Sequence, residues 1–165
     1  MDMIRIIICL IIASAIIFGA LRGERFFSST AFCTSCHTMG YAYEELKKSS
    51  HYGRLGIDPQ CGDCHLPSGF LNRLKAHALS GVTDLYGEFT KDLSTYEKFS
   101  LYRDELAERA RRNLKNWDSS PCRTCHKNPR PASDNGKAAH RMLKEGKTCV
   151  DCHRNLHYSP LKTAG

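Results

Sequence analysis

Beyond about residue 25 the sequence has too few large aliphatic residues to build an ordinary hydrophobic core, and the whole chain contains a single tryptophan. Its 165 residues are enough for one domain and a short anchor. Because this region is poor in core-forming side chains, something other than aliphatic residues must fill its interior. The shortage argues against a conventional domain that depends on its own side chains alone.

The chain also has no cysteines to spare for structural disulfides. Eight of its nine cysteines belong to four Cys-x-x-Cys-His motifs, and the ninth, Cys9, lies in an apolar run and is predicted to be a small hydrophobic residue. No pair remains for a disulfide framework. The motifs are Cys33 to Cys36 with His37, Cys61 to Cys64 with His65, Cys122 to Cys125 with His126, and Cys149 to Cys152 with His153.

Cys-x-x-Cys-His is the attachment signature of c-type haem. The two thiols form thioether bonds to the porphyrin, and the adjacent histidine is placed to bind iron from one side. Repeated Cys-x-x-Cys pairs alone would also suit tetrahedral zinc. The histidine that follows every second cysteine favours haem, so the sequence predicts four covalent haems, which would themselves form the core.

The formal charge of +7 does not indicate a nucleic-acid partner. Four haems bring about eight propionate carboxylates, which pair readily with Lys and Arg side chains. No cluster resembles a nucleic-acid-binding motif. We therefore interpret much of the positive charge as belonging to propionate partners, and we expect no nucleic acid among the ligands.

The N-terminal region is predicted to be a single transmembrane anchor over residues 1–25. An apolar run covers residues 6–21 and is followed by Arg22 and Arg25. This run is near the short limit of about 17 residues for crossing a bilayer. The alternative is a cleaved signal peptide with its site at residues 13–15, but the apolar run continues past that point. Since bacteria attach c-type haem outside the cytoplasmic membrane, residues 26–165 are expected to be periplasmic.

The remaining sequence predicts a mainly α domain with long loops and no significant sheet. Helices are expected over residues 41–50, 70–79, 95–116 and 135–145, with a further helical stretch over 81–85 and a turn at or soon after Gly87. The spacing of the motifs suggests two haem pairs, within about 26–92 and 118–160, joined by the helix over 95–116.

The first motif begins only about ten residues after the anchor. A haem held so close to lipid suits a protein that oxidises a quinol dissolved in the bilayer. Phe26, Phe27 and Phe32 lie between the anchor and the motif and could line that interface, or simply pack against the first haem.

The chain resembles the NapC/NirT family of membrane-anchored tetrahaem c-type cytochromes, including its NrfH branch. The resemblance spans nearly the whole chain in order. It is carried by the anchor, by Phe32-Cys-Thr-Ser-Cys-His-Thr-Met39, by Ser50-His51-Tyr52, by Glu97-Lys98-Phe99 with Glu105-Leu106-Ala107-Glu108, by Asp118-Ser119, and by Gly146-Lys147-Thr148-Cys149-Val150-Asp151-Cys152-His153.

This resemblance implies a quinol dehydrogenase that takes electrons from menaquinol or ubiquinol. The electrons would pass to a periplasmic reductase of the nitrite or nitrate type, within a dimer or a larger complex. A protein of this kind would be a single-pass component of the bacterial cytoplasmic membrane.

The resemblance also implies axial ligands beyond the motif histidines. Met39 rather than His37 would bind the first haem, His51 the fourth and His157 the third. Only three residues separate His153 from His157 where the family usually has four, so His140 competes with His157. The second haem would combine His65 with a lysine, a residue of a partner subunit or no second ligand.

By the same resemblance, Asp84 is the expected proton acceptor for the quinol, and Lys75 and His77 would orient its hydroxyl or relay its proton. A quinol releases two protons as well as two electrons, so its site needs such groups. The competing hypothesis is a membrane-tethered electron relay without a quinol site. A reductase acting on a small oxyanion is disfavoured, because the sequence shows no open haem pocket lined by several basic and tyrosine residues.

Overall fold

The computed structural model describes residues 2–53, 56–154 and 156. Throughout these residues the chain is helical or irregular, with no strand, which confirms the predicted mainly α fold. The α-helices are α1 Asp2–Phe27, α2 Thr30–Cys33, α3 His37–Lys47, α4 Cys61–His65, α5 Phe70–Thr90, α6 Tyr96–Asn116, α7 Ser120–Cys125, α8 Asp134–Arg141 and α9 Cys149–Cys152.

Helix α1 is longer than the apolar run that predicted it. Its 26 residues have a mean hydropathy of 2.7 over the most apolar window, and none is buried against the rest of the chain. At about 1.5 Å per residue such a helix is roughly 39 Å long, more than the thickness of a bilayer's hydrocarbon core. By length and composition α1 can therefore cross a membrane.

Helix α5 is continuous where the sequence predicted two shorter segments. It runs through Gly81 and Gly87 and ends at Thr90, so the expected break after residue 79 is wrong. A glycine inside a helix costs only about 1 kcal/mol. Two ion pairs connect this part of the chain to α6, one from Asp84 to Arg109 and one from Lys91, just past the end of α5, to Glu105 at 2.6 Å.

Helix α6 confirms the long connecting helix predicted over residues 95–116. The Thr95 side chain caps it by accepting a hydrogen bond from the backbone N–H of Lys98. Helix α3, by contrast, begins at His37 and ends at Lys47, so the helix predicted over 41–50 is displaced toward the N-terminus. Helices α3 and α6 pack against each other, and α6 also packs against α9.

The last predicted helix, over residues 135–145, is divided in the structure. Helix α8 ends at Arg141 and continues as a 3-10 turn over Met142–Glu145. Gly146 terminates this segment with a φ of 86°, a left-handed conformation that glycine adopts without strain. The fourth Cys-x-x-Cys-His motif follows directly.

The protein core is as small as the composition indicated. Among the described residues only six hydrophobic side chains are buried, and they are scattered over four helices and the segment between α5 and α6. They are Leu46, Ala76, Leu93, Phe99, Ala107 and Val150. A core of this size cannot hold a domain of this length together, so the space between the helices must be filled by bound groups.

Gly62, inside the second motif, marks a close contact between the end of the anchor and the haem-binding region. A Cβ atom at this position would lie 2.5 Å from the backbone oxygen of Ser28, which cannot move aside like a side chain. The segment after α1 and the second motif therefore pack backbone to backbone.

We expect Gly62→Ala to destabilise the holoprotein by about 1–3 kcal/mol, because the added methyl group forces these two segments apart. Thermal unfolding followed by circular dichroism measures the loss. Gly40→Ala is the matched control, since a Cβ there meets nothing within 4 Å. Equal stability of the two variants would show that the contact is not rigid.

Candidate haem centres

In each of three motifs, the cysteines and the histidine belong to one short helical turn. The second motif is helix α4, and the cysteines of the third and fourth motifs lie in α7 and α9, with His126 and His153 directly after them. Residues i, i+3 and i+4 share one face of a helix. Each of these motifs therefore presents both thiols and its histidine to the same side, which fits a porphyrin bound there.

The first motif is built differently. Cys33 ends α2, Cys36 precedes α3, and His37 is the first residue of α3. The two thiols and the imidazole therefore do not belong to one helical turn. The position of His37 must be fixed by other contacts.

The four motifs adjoin one another in the order of the chain. A hydrogen bond with Cys61 raises the pKa of the Cys33 thiol, and the same contact lowers the pKa of Cys61 to about 6. Burial raises the pKa of Cys122, and the nearby Cys149 adds to the effect. Burial also raises the pKa of Cys64, and Cys122 and Cys125 add to that rise. The first motif therefore lies beside the second, the second beside the third, and the third beside the fourth.

Two motif histidines face a second histidine from elsewhere in the chain. The ring centres of His51 and His126 are 6.3 Å apart, and those of His140 and His153 are 6.1 Å apart. Two imidazoles that bind one metal from opposite sides, through bonds of about 2 Å, have ring centres roughly 6 Å apart. Both pairs therefore fit bis-histidine ligation of a haem iron.

These pairs differ from the ones that the family resemblance implied. His51 faces His126 of the third motif rather than the fourth, and His140 faces His153 of the fourth. The Nδ1 atom of His140 is buried without a hydrogen-bond partner in the described part of the chain, as expected of a ring prepared for another ligand. The predicted ligand His157 lies outside the described residues.

Helix α5 carries all three predicted quinol-site residues but does not bring them together. His77 and Asp84 are seven residues apart, two turns along one face. Lys75 is exposed on the opposite face. Asp84 forms an ion pair with Arg109 of α6 at 2.5 Å.

Burial and neighbouring charges shift the pKa values of Asp84 and His77. Burial raises the pKa of Asp84, while Arg109 and His65 oppose that rise. Burial lowers the pKa of His77, while Glu24 opposes that fall. Asp84 is therefore a stronger base than an ordinary aspartate, and His77 is a weaker base than an ordinary histidine.

A polar junction that sequence analysis missed connects α1 to α5. The Ser28 hydroxyl donates to Glu24 at 2.6 Å and lies 3.0 Å from Nε2 of His77. Nε of Arg73 donates to the same Glu24 oxygen at 2.5 Å. Glu24 and Arg73 are 49 residues apart, so no local pattern in the sequence could have revealed their contact.

Three phenylalanines cluster where α1 ends and the first motif begins. The ring centres of Phe26 and Phe32 are 5.5 Å apart, and those of Phe27 and Phe32 are 4.9 Å apart. All three side chains are exposed. Aromatic side chains are favoured at the boundary between lipid and water, so this cluster places the first motif at the height of that boundary if α1 crosses a bilayer.

A basic cleft lies between α6 and α9 and encloses about 280 Å³. It is lined by Glu108, Arg111, Arg112, Lys115, Val150, Asp151 and Arg154. Val150 and Asp151 are the two residues between the cysteines of the fourth motif, so the cleft is on the face of α9 opposite the thiols. Four cationic and two anionic side chains give this surface a positive charge.

Comparisons with known proteins agree with these motifs. The model of the NapC/NirT cytochrome c family, N-terminal region, matches residues 1–163. The chain is 49% identical over 150 residues to a probable tetraheme cytochrome c-type protein of Nitrosomonas europaea, covering 88% of this chain and 63% of the relative. It is 37% identical over 131 residues to the cytochrome c-type protein NapC of Haemophilus influenzae, covering 76% of this chain and 64% of that protein.

A solved structure shows the same fold. The chain resembles one in the crystal structure of the cytochrome c nitrite reductase NrfHA complex bound to the HQNO inhibitor, with a TM-score of 0.56 and 22% identity. The match covers 93% of this chain and 89% of the other. By contrast, the chain spans less than two-thirds of the length of the Nitrosomonas and Haemophilus relatives.

Proposed function

Because the chain belongs to the NapC/NirT cytochrome c family, whose tetrahaem members occur in respiratory reductase systems, we propose that it oxidises a membrane quinol, menaquinol or ubiquinol, and passes the electrons to a periplasmic reductase. The observation that supports this most directly is the position of the first motif. Cys33 follows Phe27, the last residue of the apolar helix, by six positions, and the phenylalanine cluster joins the helix end to the first motif.

In this proposal residues 1–25 hold the protein in the bacterial cytoplasmic membrane, and the rest of the chain is periplasmic. Each haem, when bound, accepts and gives up one electron through its iron. The eight motif cysteines would hold the four groups covalently. The protein determines their positions, their ligands and the access of protons and partners.

The proposed ligands follow the ring pairs of the structure. His126 and His51 would bind the third iron, and His153 and His140 the fourth. His65 would bind the second, with its other ligand unassigned. The first motif offers His37 and Met39, two residues apart on α3.

We assign the proton-accepting role to Asp84 and an orienting or relaying role to His77. The raised pKa of Asp84 favours proton uptake, and its partner Arg109 holds the carboxylate in one orientation. His77 can exchange a proton through Ser28 and Glu24 at the end of α1. Lys75 faces away from both groups, so the geometry gives it no part in this pathway.

The basic cleft between α6 and α9 supports a partner with an acidic surface. It adjoins the fourth motif, which is distant along the chain from the anchor. Charge complementarity mainly accelerates association and orients the partners. We propose that the periplasmic reductase, of the nitrite or nitrate type, docks at this face.

The test is reduction of the purified holoprotein in detergent by a menaquinol analogue, followed by stopped-flow absorbance of the haems. We expect Asp84→Asn to slow reduction about 100-fold or more, because loss of a general base typically costs this much. Asp134→Asn is the control, since its side chain is 95% exposed on α8.

The same experiment separates the proposal from a tethered electron relay. A wild-type protein that dithionite reduces but the quinol does not would favour the relay and contradict quinol oxidation. A normal rate for Asp84→Asn, with an active wild type, would instead remove only Asp84 from the mechanism.

A further inference from the structure

Glu88 of α5 contacts two consecutive residues of the first motif's helix, and neither the motif nor the proposed quinol pathway accounts for it. The Thr38 hydroxyl donates to its carboxylate at 2.9 Å. Nδ1 of His37 lies 3.3 Å from the same oxygen. Thr38 is only 1% exposed, so its hydroxyl fixes the carboxylate from inside the protein.

The His37 ring is also held from a second side. It packs edge to face on Tyr41, with ring centres 6.5 Å apart. Tyr41 in turn packs on Tyr96 and Phe99 of α6 at 5.7 Å and 5.5 Å. Glu88 and this aromatic group therefore hold His37 on the side of α3 that faces α5 and α6.

Met39 lies on the other side of the same helix. Residues two positions apart in an α-helix are separated by about 200°, so His37 and Met39 cannot face one iron together. Both residues reach solvent, the His37 side chain at 56% and Met39 at 39%, so what separates them is the contacts of His37 with Glu88 and Tyr41. The first motif thus offers one side chain that is already engaged and one that is open.

We propose that Glu88 is a positioning residue that selects the axial ligand of the first haem. By holding His37 against α5, it leaves the thioether of Met39 as the ligand from this helix. The inference rests on the first motif's holding a haem, as proposed above, and it is independent of quinol oxidation.

The test uses the purified tetrahaem protein and two spectroscopic readouts. A ferric haem with a methionine ligand has a charge-transfer absorption in the far red, which Met39→Leu should abolish. Glu88→Leu removes the acceptor while keeping most of the side-chain volume. We expect it to release His37 to the iron, abolish the far-red band and lower the midpoint potential of the first haem, because a thioether ligand raises the potential relative to an imidazole.

The conservative variant and a surface control distinguish ligand selection from general damage. Glu88→Gln keeps one acceptor oxygen for Thr38 and His37, so it should retain the band. Glu44→Gln should retain it as well, because Glu44 on α3 pairs only with the exposed Lys47 among the described residues. Mass spectrometry confirms that each variant carries four haems.

A wild-type protein without the far-red band, or a Glu88→Leu variant with an unchanged band and potential, would overturn the proposal. If Glu88→Leu does not take up four haems, Thr38→Val tests the proposal in its place. It removes only the hydroxyl that orients Glu88, so it should weaken the band, and an unchanged band and potential would overturn the proposal equally. The rate of quinol oxidation in these variants tests only the proposed function and does not test the choice of axial ligand.

Discussion

Replacing His51 with alanine is expected to remove one low-spin ferric signal from the electron paramagnetic resonance spectrum, and replacing His140 is expected to remove a different one. The imidazole planes of His51 and His126 are 85° apart, whereas those of His140 and His153 are 20° apart. Perpendicular imidazoles leave two iron d orbitals nearly equal in energy, which gives a strongly anisotropic signal. Nearly parallel imidazoles separate these orbitals and give a rhombic signal.

The oxidised holoprotein is measured at liquid-helium temperature, with the haem content of each variant checked by mass spectrometry. We expect His51→Ala to lose the strongly anisotropic signal and His140→Ala to lose the rhombic one. His157→Ala is the control and should keep both. Loss of either signal in His157→Ala would instead support the ligand set implied by the family resemblance.

Replacing Arg103 with methionine is expected to cost about 3–5 kcal/mol of stability, because it leaves the Glu45 carboxylate buried without its counter-ion. Nη2 of Arg103 donates to Glu45 at 3.0 Å, and both side chains are at most 10% exposed. The Tyr96 hydroxyl also donates to Glu45, at 3.2 Å. This cluster is the polar centre of the contact between α3 and α6.

Thermal unfolding of the holoprotein in detergent, followed by circular dichroism, measures this cost. The double variant Glu45→Met with Arg103→Met should recover most of the stability, since two apolar side chains can replace a buried ion pair. Lys47→Met removes an exposed pair on α3 and should change the stability by less than about 1 kcal/mol. A comparably small effect of Arg103→Met would mean that water reaches Glu45.

Much of the fold could be predicted because its determinants are local. The apolar run indicated α1, and the cap at Thr95 with the apolar face behind it indicated α6. The boundaries of α5 were mispredicted because Gly81 and Gly87 resemble breaks in the sequence, whereas the helix runs through both and is connected to α6 by the Asp84–Arg109 ion pair. Tertiary packing outweighed local propensity at these positions.

The residues of the candidate sites were likewise predictable only where they form a local pattern in the sequence. The four motifs are short patterns with fixed spacing, so the sequence alone was sufficient to find them. The partners of the motif histidines are different, because pairs such as His51 with His126 depend on how the helices pack. Glu88, Glu24 and Arg73 lacked any signal in the sequence, since each acts on a residue that is distant along the chain.

The junction of Glu24, Ser28 and Arg73, with the backbone contact at Gly62, has a mechanical consequence. These contacts fasten the domain to the end of α1, so we expect the tilt of the domain to follow the tilt of the helix. A protein tethered in this way rotates about the membrane normal and diffuses laterally, but it cannot turn its far side toward the bilayer. If α1 spans the membrane as proposed, a soluble partner would therefore meet the same face at a constant height above the lipid.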